Sequence, residues 1–311
     1  MIYDLTTINR LIISAPGDYV RDSEKYFNSR VRKAADEIFN HIDQSRIVLL
    51  SGPSGSGKTT TAKKLAADLT SLGLDAQIIS LDHYFMTVDP LTAPRTPSGD
   101  IDYESPDCLD MPLLNEHFEI LADGSEIMIP YFSFAQQARA EDRSAPMRLE
   151  KNGVAIFEGI HALNEQITRE HPEAYRVYVS TLTDIADKGD VLIDSNGLRL
   201  VRRIVRDDSF RGADPAFTLQ MWQNVRRGEV LNILPYKDTA HMTIDSALPY
   251  EISVMKQFAG DVFNKIPEDA EHYDIIRHVL DAFRLFKAID PALVPPDSIL
   301  REFIGGSSFE Y

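Results

Sequence analysis

Apolar positions recur at helical spacing from Tyr19 to His41. Val20, Tyr26, Phe27, Val31, Ala34, Ile38 and Phe39 mark one face there and predict an amphipathic helix. The next apolar run differs in character: Arg46–Ser51 (RIVLLS) is short, continuous and rich in Ile, Val and Leu, the pattern of a strand buried on both faces. Helical spacing returns over Lys58–Leu72, and Gly73 suits its C-terminal cap. Ala76–Ser80 (AQIIS), Gly153–Phe157 (GVAIF) and Arg176–Ser180 (RVYVS) predict further buried strands, and Glu126–Pro130 a shorter one. Met111–Leu121, Leu198–Asp207, Pro215–Val225, Met255–Asn264 and His272–Ala288 predict helices. Two polar stretches read as loops: Thr87–Asp102, broken by Pro90, Pro94 and Pro97 and expected to be mobile, and the charged Gln136–Met147. Strands alternating with helices imply an α/β fold, three layers around a mainly parallel sheet. No linker divides it; the expectation is a helical extension over residues 1–45, one α/β domain over 46–290 and a tail over 291–311.

Composition narrows the partners. The chain has 311 residues, with 32 Lys+Arg against 48 Asp+Glu, a net charge of −16 that argues against a surface made for nucleic acid or anionic lipid. No apolar run approaches the roughly 20 residues of a membrane helix. The single cysteine, Cys108, forms no intramolecular disulfide, and Asp4 stands where a signal peptide would carry positive charge, so a soluble cytoplasmic protein is expected. A homo-oligomer is compatible with all of this. One segment reverses the sign: Leu198–Arg227 holds seven Arg against Asp207, Asp208 and Asp214, a net of +4, which leaves −20 for the remainder.

Between the first strand and its helix lies Gly52-Pro53-Ser54-Gly55-Ser56-Gly57-Lys58-Thr59-Thr60, which fits G-x-x-x-x-G-K-[ST] at every position. In such a turn the backbone around Gly52, Ser54, Gly55, Ser56 and Gly57, with Thr60, points N–H groups at phosphate oxygens, helped by the positive end of the helix. Lys58 would neutralise the β- and γ-phosphates of ATP, and the Thr59 hydroxyl would ligand Mg²⁺. A guanine-reading N-K-x-D is missing, since Asn264-Lys265 runs into Ile266-Pro267. Val191–Gly197 imitates a strand ending in D-x-x-G, but its lead-in Asp184–Asp190 is polar and turn-like, and Asp194 reads as a helix cap.

Glu158, directly after the Gly153–Phe157 strand, could hold Mg²⁺ through water, or be only a solvated strand-end carboxylate. Arg46–Ser80 forms one strand–helix–strand unit; Asp82 follows its second strand and should stand beside the phosphate turn, because parallel strands joined by a crossover end on one edge of the sheet. There it could take the proton of an attacking hydroxyl; the plainer alternative is a cap or a second layer around Mg²⁺. Arg199, Arg202, Arg203 and Arg206 share one helix face, with Arg211 beyond, as a basic lid (about residues 195–230) able to offset charge on a transferred phosphoryl group. The alternative is a solvated face paired with Asp207, Asp208 and Asp214. Arg226 and Arg227 are left open between the two roles.

Taken in order, these pieces resemble the uridine kinase/phosphoribulokinase family of P-loop kinases over roughly residues 46–260. The resemblance rests on Gly52–Thr60, Ser80–Phe85, Asp102–Asp107, Ile129–Phe134, Phe157–His161 and Arg202–Asp207 with Arg211-Gly212. It is strongest to a bacterial uridine kinase-like branch with a helical segment before the kinase domain, which Gly159–Asn164 and Ile299–Gly306 also resemble. It implies ATP- and Mg²⁺-dependent phosphorylation of a nucleoside 5′-hydroxyl. Asp82 then falls on the catalytic aspartate, Glu158 on the Mg²⁺-associated acid, and Arg206 and Arg211 on the phosphate-binding lid. Glu104 and Arg203 fall where the family holds the nucleoside, although Asp is usual at the first. Phe132 and Gln137 stand where Tyr and His usually read the base, and Ala213 and Met221 replace a usual Arg and Gln. Phe132 and Phe134 could stack on a base or pack beneath the loop.

Overall fold

A computed structural model describes residues 2–310. The chain opens with strand β1 (Ile2–Asp4) and helices α1 (Leu5–Ser14) and α2 (Pro16–His41). It runs on through β2 (Ile47–Ser51), α3 (Lys58–Ser71), β3 (Asp75–Ser80), α4 (Met111–Ala122), β4 (Ile127–Ser133), β5 (Ala138–Met147), β6 (Gly153–Glu158), α5 (Glu165–Thr168) and β7 (Tyr175–Ser180). The remainder comprises β8 (Asp184–Asp187), β9 (Asp190–Ile193), α6 (Ser195–Arg211), α7 (Pro215–Asn232), β10 (Met242–Asp245), α8 (Glu251–Phe263), α9 (Tyr273–Phe283) and α10 (Arg301–Ile304).

The apolar runs build a five-stranded, wholly parallel sheet in the order β10-β7-β2-β6-β3. Alternate residues feed opposite cores: Val48 and Leu50 of β2 join one that includes α2, α3, α6 and α8, while Ile47 and Leu49 join another that includes α4. Each fully buried Leu or Ile side chain contributes about 1.5–3 kcal/mol. The expected succession of strand, helix and strand over β2, α3 and β3 is present, with β6 lying between the two parallel strands in the sheet. From β2 the sheet is filled towards β6 and β3 on one side and towards β7 and β10 on the other. The end of β2 is therefore a switch point of the topology, where open α/β sheets leave a crevice for ligands.

Two stretches read as irregular form strands. Gln136–Met147 contains β5, which pairs antiparallel with β4; this narrow ribbon is largely wet, so its polar residues resemble a loop in sequence. The lead-in Asp184–Asp190 also turns out to be stranded. β8 and β9 form a hairpin across Lys188 (φ 51°) and Gly189 (φ 99°), the two positive φ angles that a tight hairpin turn needs. β1 completes that small sheet. Asp194 caps α6, as expected, by accepting from Gly197 N at 2.7 Å. α1, capped by Asp4 through Thr7 N, precedes the anticipated N-terminal helix.

Candidate active site

The phosphate turn leaves β2 at Ser51 and enters α3 at Lys58. A Cβ on Gly52 would stand 1.9 Å from the carbonyl oxygen of Val179, so the close approach to β7 requires glycine; Gly55 holds φ at +74°. Helix α6 braces the turn through three arginines. Arg199 donates to Ser54 O (3.2 Å), Arg202 to Gly55 O (3.4 Å) and Arg203 to Ser54 Oγ (2.8 Å). With those oxygens engaged, the turn is left to offer N–H donors to an anion at the positive end of α3.

A cavity of about 250 Å³ opens before the turn, lined by Ser54, Gly55, Gly57, Lys58 and Thr59 together with Asp82, Glu104, Phe134, Glu158, Arg203, Arg206 and Arg211. Lys58 Nζ donates to Pro53 O at 3.2 Å. Burial lowers its pKa, against the pull of Glu158 and Asp82. Solvent reaches Asp82 through the cavity, yet the surrounding walls desolvate its carboxyl and raise its pKa, with Lys58 opposing. Its carboxylate accepts no hydrogen bond from the described residues. Thr59 Oγ1 donates to Glu158 Oε1 at 3.4 Å, and burial pushes Glu158 up to about 7. Glu104 is likewise pushed up to about 7 by burial, with Arg203 opposing. Among the described residues no cluster of three His, Cys, Asp or Glu side chains could hold a metal ion. The Thr59–Glu158 pair suits Mg²⁺ instead, which keeps waters and binds through one or two carboxylates plus substrate phosphates.

Other residues singled out in the sequence lie elsewhere. Gly52, Ser56 and Thr60 are buried and do not line the cavity. Phe132 is buried beneath Phe85 and Phe134, at centroid distances of 5.5 and 5.0 Å, and so takes the packing role. Gln137 is exposed at the β4–β5 turn, outside the cavity lining. The shared basic face of α6 divides. Arg199 pairs with Glu229 at 2.7 Å and Arg202 with Glu251, all four side chains at most 4% exposed. Arg226 joins Glu229 at 2.5 Å and Arg227 pairs with Asp102 at 2.6 Å. These four arginines neutralise buried carboxylates; Arg203, Arg206 and Arg211 face the cavity and also share the buried Asp207, so the expected pairing with that residue is present as well.

Two polar residues of the cavity wall, Tyr103 and Glu302, were not singled out as site residues, and a buried histidine, His161, stands outside the lining. Tyr103 lines the cavity beside Glu104. His161 is buried, with no hydrogen-bond partner for either ring nitrogen among the described residues, and burial pushes it down to about 4. Glu302, from the Ile299–Gly306 stretch, accepts from Thr60 Oγ1 at 2.6 Å and Thr60 N at 3.4 Å, and stands 3.9 Å from Arg206. Its carboxylate thus holds an anion position at the start of α3. Only the resemblance of that stretch pointed to it; no local pattern shows which residues meet across 242 positions.

A family model for the phosphoribulokinase/uridine kinase family matches residues 47–253. A uridine kinase of Deinococcus deserti is 27% identical over 199 residues, covering 64% of this chain and 86% of that protein. A uridine kinase of Lactobacillus helveticus is 30% identical over 175 residues, covering 56% and 74%. Among solved structures, a protein of Silicibacter sp. TM1040 assigned provisionally as a fructose transport system kinase matches with a TM-score of 0.51 at 19% identity, over 68% of this chain and 98% of that one. That likeness concerns the fold alone.

Proposed function

The chain belongs to the phosphoribulokinase/uridine kinase family, and we propose that it transfers the γ-phosphate of ATP to the 5′-hydroxyl of a nucleoside. One observation carries this reading: a phosphate turn, an unengaged carboxylate at Asp82 and three arginines converge on one cavity. Asp82 accepts the proton of the attacking hydroxyl as the new O–P bond forms. Because the transition state is loose, orienting that hydroxyl matters more than the strength of the base. Lys58 neutralises the terminal phosphates, and Arg206 and Arg211 offset charge spreading over the transferred group. Glu104 and Arg203 hold the acceptor, and Phe134 offers it an aromatic face. Thr59 and Glu158 would hold Mg²⁺, which supplies further neutralisation of the phosphates. That relatives are named uridine kinases supports a nucleoside acceptor.

A second reading, a sugar phosphate or pantothenate-like acceptor, is favoured by the position of Phe132 and Gln137 outside the cavity lining, which leaves Phe134 alone of those three facing the acceptor. A coupled ADP-release screen with Mg-ATP across nucleosides, sugars and sugar phosphates decides between them. Turnover with a nucleoside is expected. Failure of every nucleoside while a sugar phosphate works would transfer the proposal to the second reading. ADP release indifferent to every acceptor would make the protein an ATP-dependent switch.

A further inference from the structure

The segment from Asp297 to Phe309 lies beyond residues 47–253, which match the family. It is nonetheless built into the site. Asp297 pairs at 2.6 Å with Lys64 of α3, and Ser298 donates to the buried Glu24 of α2. Ile299 lies so close to the phosphate turn that a Cβ on Gly57 would meet its Cδ1 at 2.2 Å. Phe303 packs beneath Arg202, 5.1 Å from guanidinium carbon to ring centroid. Gly305 (φ +83°) and Gly306 (φ +71°) then turn the chain outward.

Beyond that turn lies a second cavity of about 650 Å³, walled by Phe210 at the end of α6 and by Arg301, Gly305, Gly306 and Phe309. Both cavities are lined by Thr59, Asp82, Glu158, Arg206, Arg211 and Glu302. In phosphoryl transfer the attacking and leaving oxygens lie roughly in line through phosphorus, so the two substrates approach the turn from opposite sides. The Glu104 cavity then takes the acceptor and, on the phosphate turn, the donor's phosphates, and the donor's base and ribose are left to extend into the other. Its volume falls within the range of small-molecule pockets, roughly 300–1,000 Å³. Phe210, 55% exposed at its rim, gives an aromatic face that no core requirement explains.

We infer that this C-terminal segment completes the donor site, holding the base and ribose of a nucleoside triphosphate between Phe210 and Phe309. The inference rests on the kinase reading above. The test compares two probes on the full chain by calorimetry: Mg-ATP, and Mg-tripolyphosphate, which can fill only the phosphate turn. In the double variant Phe210→Ala/Phe309→Ala, the Kd for Mg-ATP should rise about tenfold, as alanine substitution at a base-stacking aromatic does. The Kd for Mg-tripolyphosphate should stay unchanged, which also shows that the variant is folded. Equal ATP affinity in wild type and variant overturns the inference, as does a parallel loss of both ligands. The kinase reading fails separately: Lys58→Ala should weaken both probes, and a wild-type chain that binds neither removes both proposals.

Discussion

Gly228 lies within α7, where a Cβ would stand 2.2 Å from Glu104 Cβ and 2.8 Å from its Cγ. Ordinary contact begins near 3.4 Å, so in Gly228→Ala one partner must retreat by about 1.2 Å. Helix α7 is poorly placed to move: Leu219, Trp222 and Val225 are buried, and the neighbouring Glu229 is held by Arg199 and Arg226. The Glu104 segment must give way. Overpacking costs about 1–3 kcal/mol, against a gain of about 1 kcal/mol from replacing glycine in a helix, so the variant stays folded. A misplacement of about 1 Å can cost on the order of 100-fold in rate, and in the proposed function Glu104 is one of several acceptor contacts. The acceptor kcat/KM should therefore fall about 10–100-fold, while KM for Mg-ATP changes less than about twofold. Coupled ADP release at saturating ATP, with acceptor varied, measures this. Gly260→Ala in α8 is the control, since nothing lies within 4 Å of its new Cβ, and it should be kinetically silent. Wild-type acceptor kinetics in Gly228→Ala would show that Glu104 does not hold the acceptor.

Asp82→Asn should lower kcat about 10²-fold or more with Mg-ATP binding nearly intact; wild-type turnover would remove Asp82 from the chemistry. Glu158 must ionise to serve Mg²⁺, and its carboxyl is raised to about 7, so the Mg²⁺ concentration for half-maximal rate should rise as pH falls from 8 to 6. Because burial raises this acid in the folded state, its contribution to stability is present below about 4.5 and is lost as pH rises through about 7. A metal-free melting series in which Glu158→Gln kept the full wild-type decline would contradict this. Glu251→Ala strands Arg202 in the core and should cost about 3–5 kcal/mol in chemical denaturation, most of it recovered in Arg202→Met/Glu251→Leu; a loss below about 1 kcal/mol would mean the pair relaxes into solvent. Glu302→Gln removes a negative charge from an anion position on α3 and should tighten Mg-ATP binding severalfold; weaker binding would make the carboxylate a ligand rather than a competitor.

The sheet and the phosphate turn were legible because each depends on short local patterns: continuous apolar runs for the strands, and glycines at fixed spacing before a lysine. Asp82 and Glu158 followed from topology, since both stand at C-terminal strand ends even with β6 inserted between β2 and β3. What could not be read is partnership across long separations. Seven arginines in Leu198–Arg227 gave a formal +4, and helical spacing alone put four of them on one face. The fold spends that charge unevenly. Glu229 and Glu251, which lie outside the count, take Arg199 and Arg202 into the core, and Asp102, from the loop before α4, takes Arg227. The buried pairs do not simply subtract from the site, because the same two arginines also hold Ser54 O and Gly55 O of the phosphate turn. A guanidinium has five donors, enough to satisfy a carboxylate and a backbone oxygen together. Removing Glu251 should therefore disturb the turn as well as the core. The basic segment divides its work: Arg199 and Arg202 hold carbonyl oxygens of the turn, while Arg203, Arg206 and Arg211 line the cavity and share the buried Asp207.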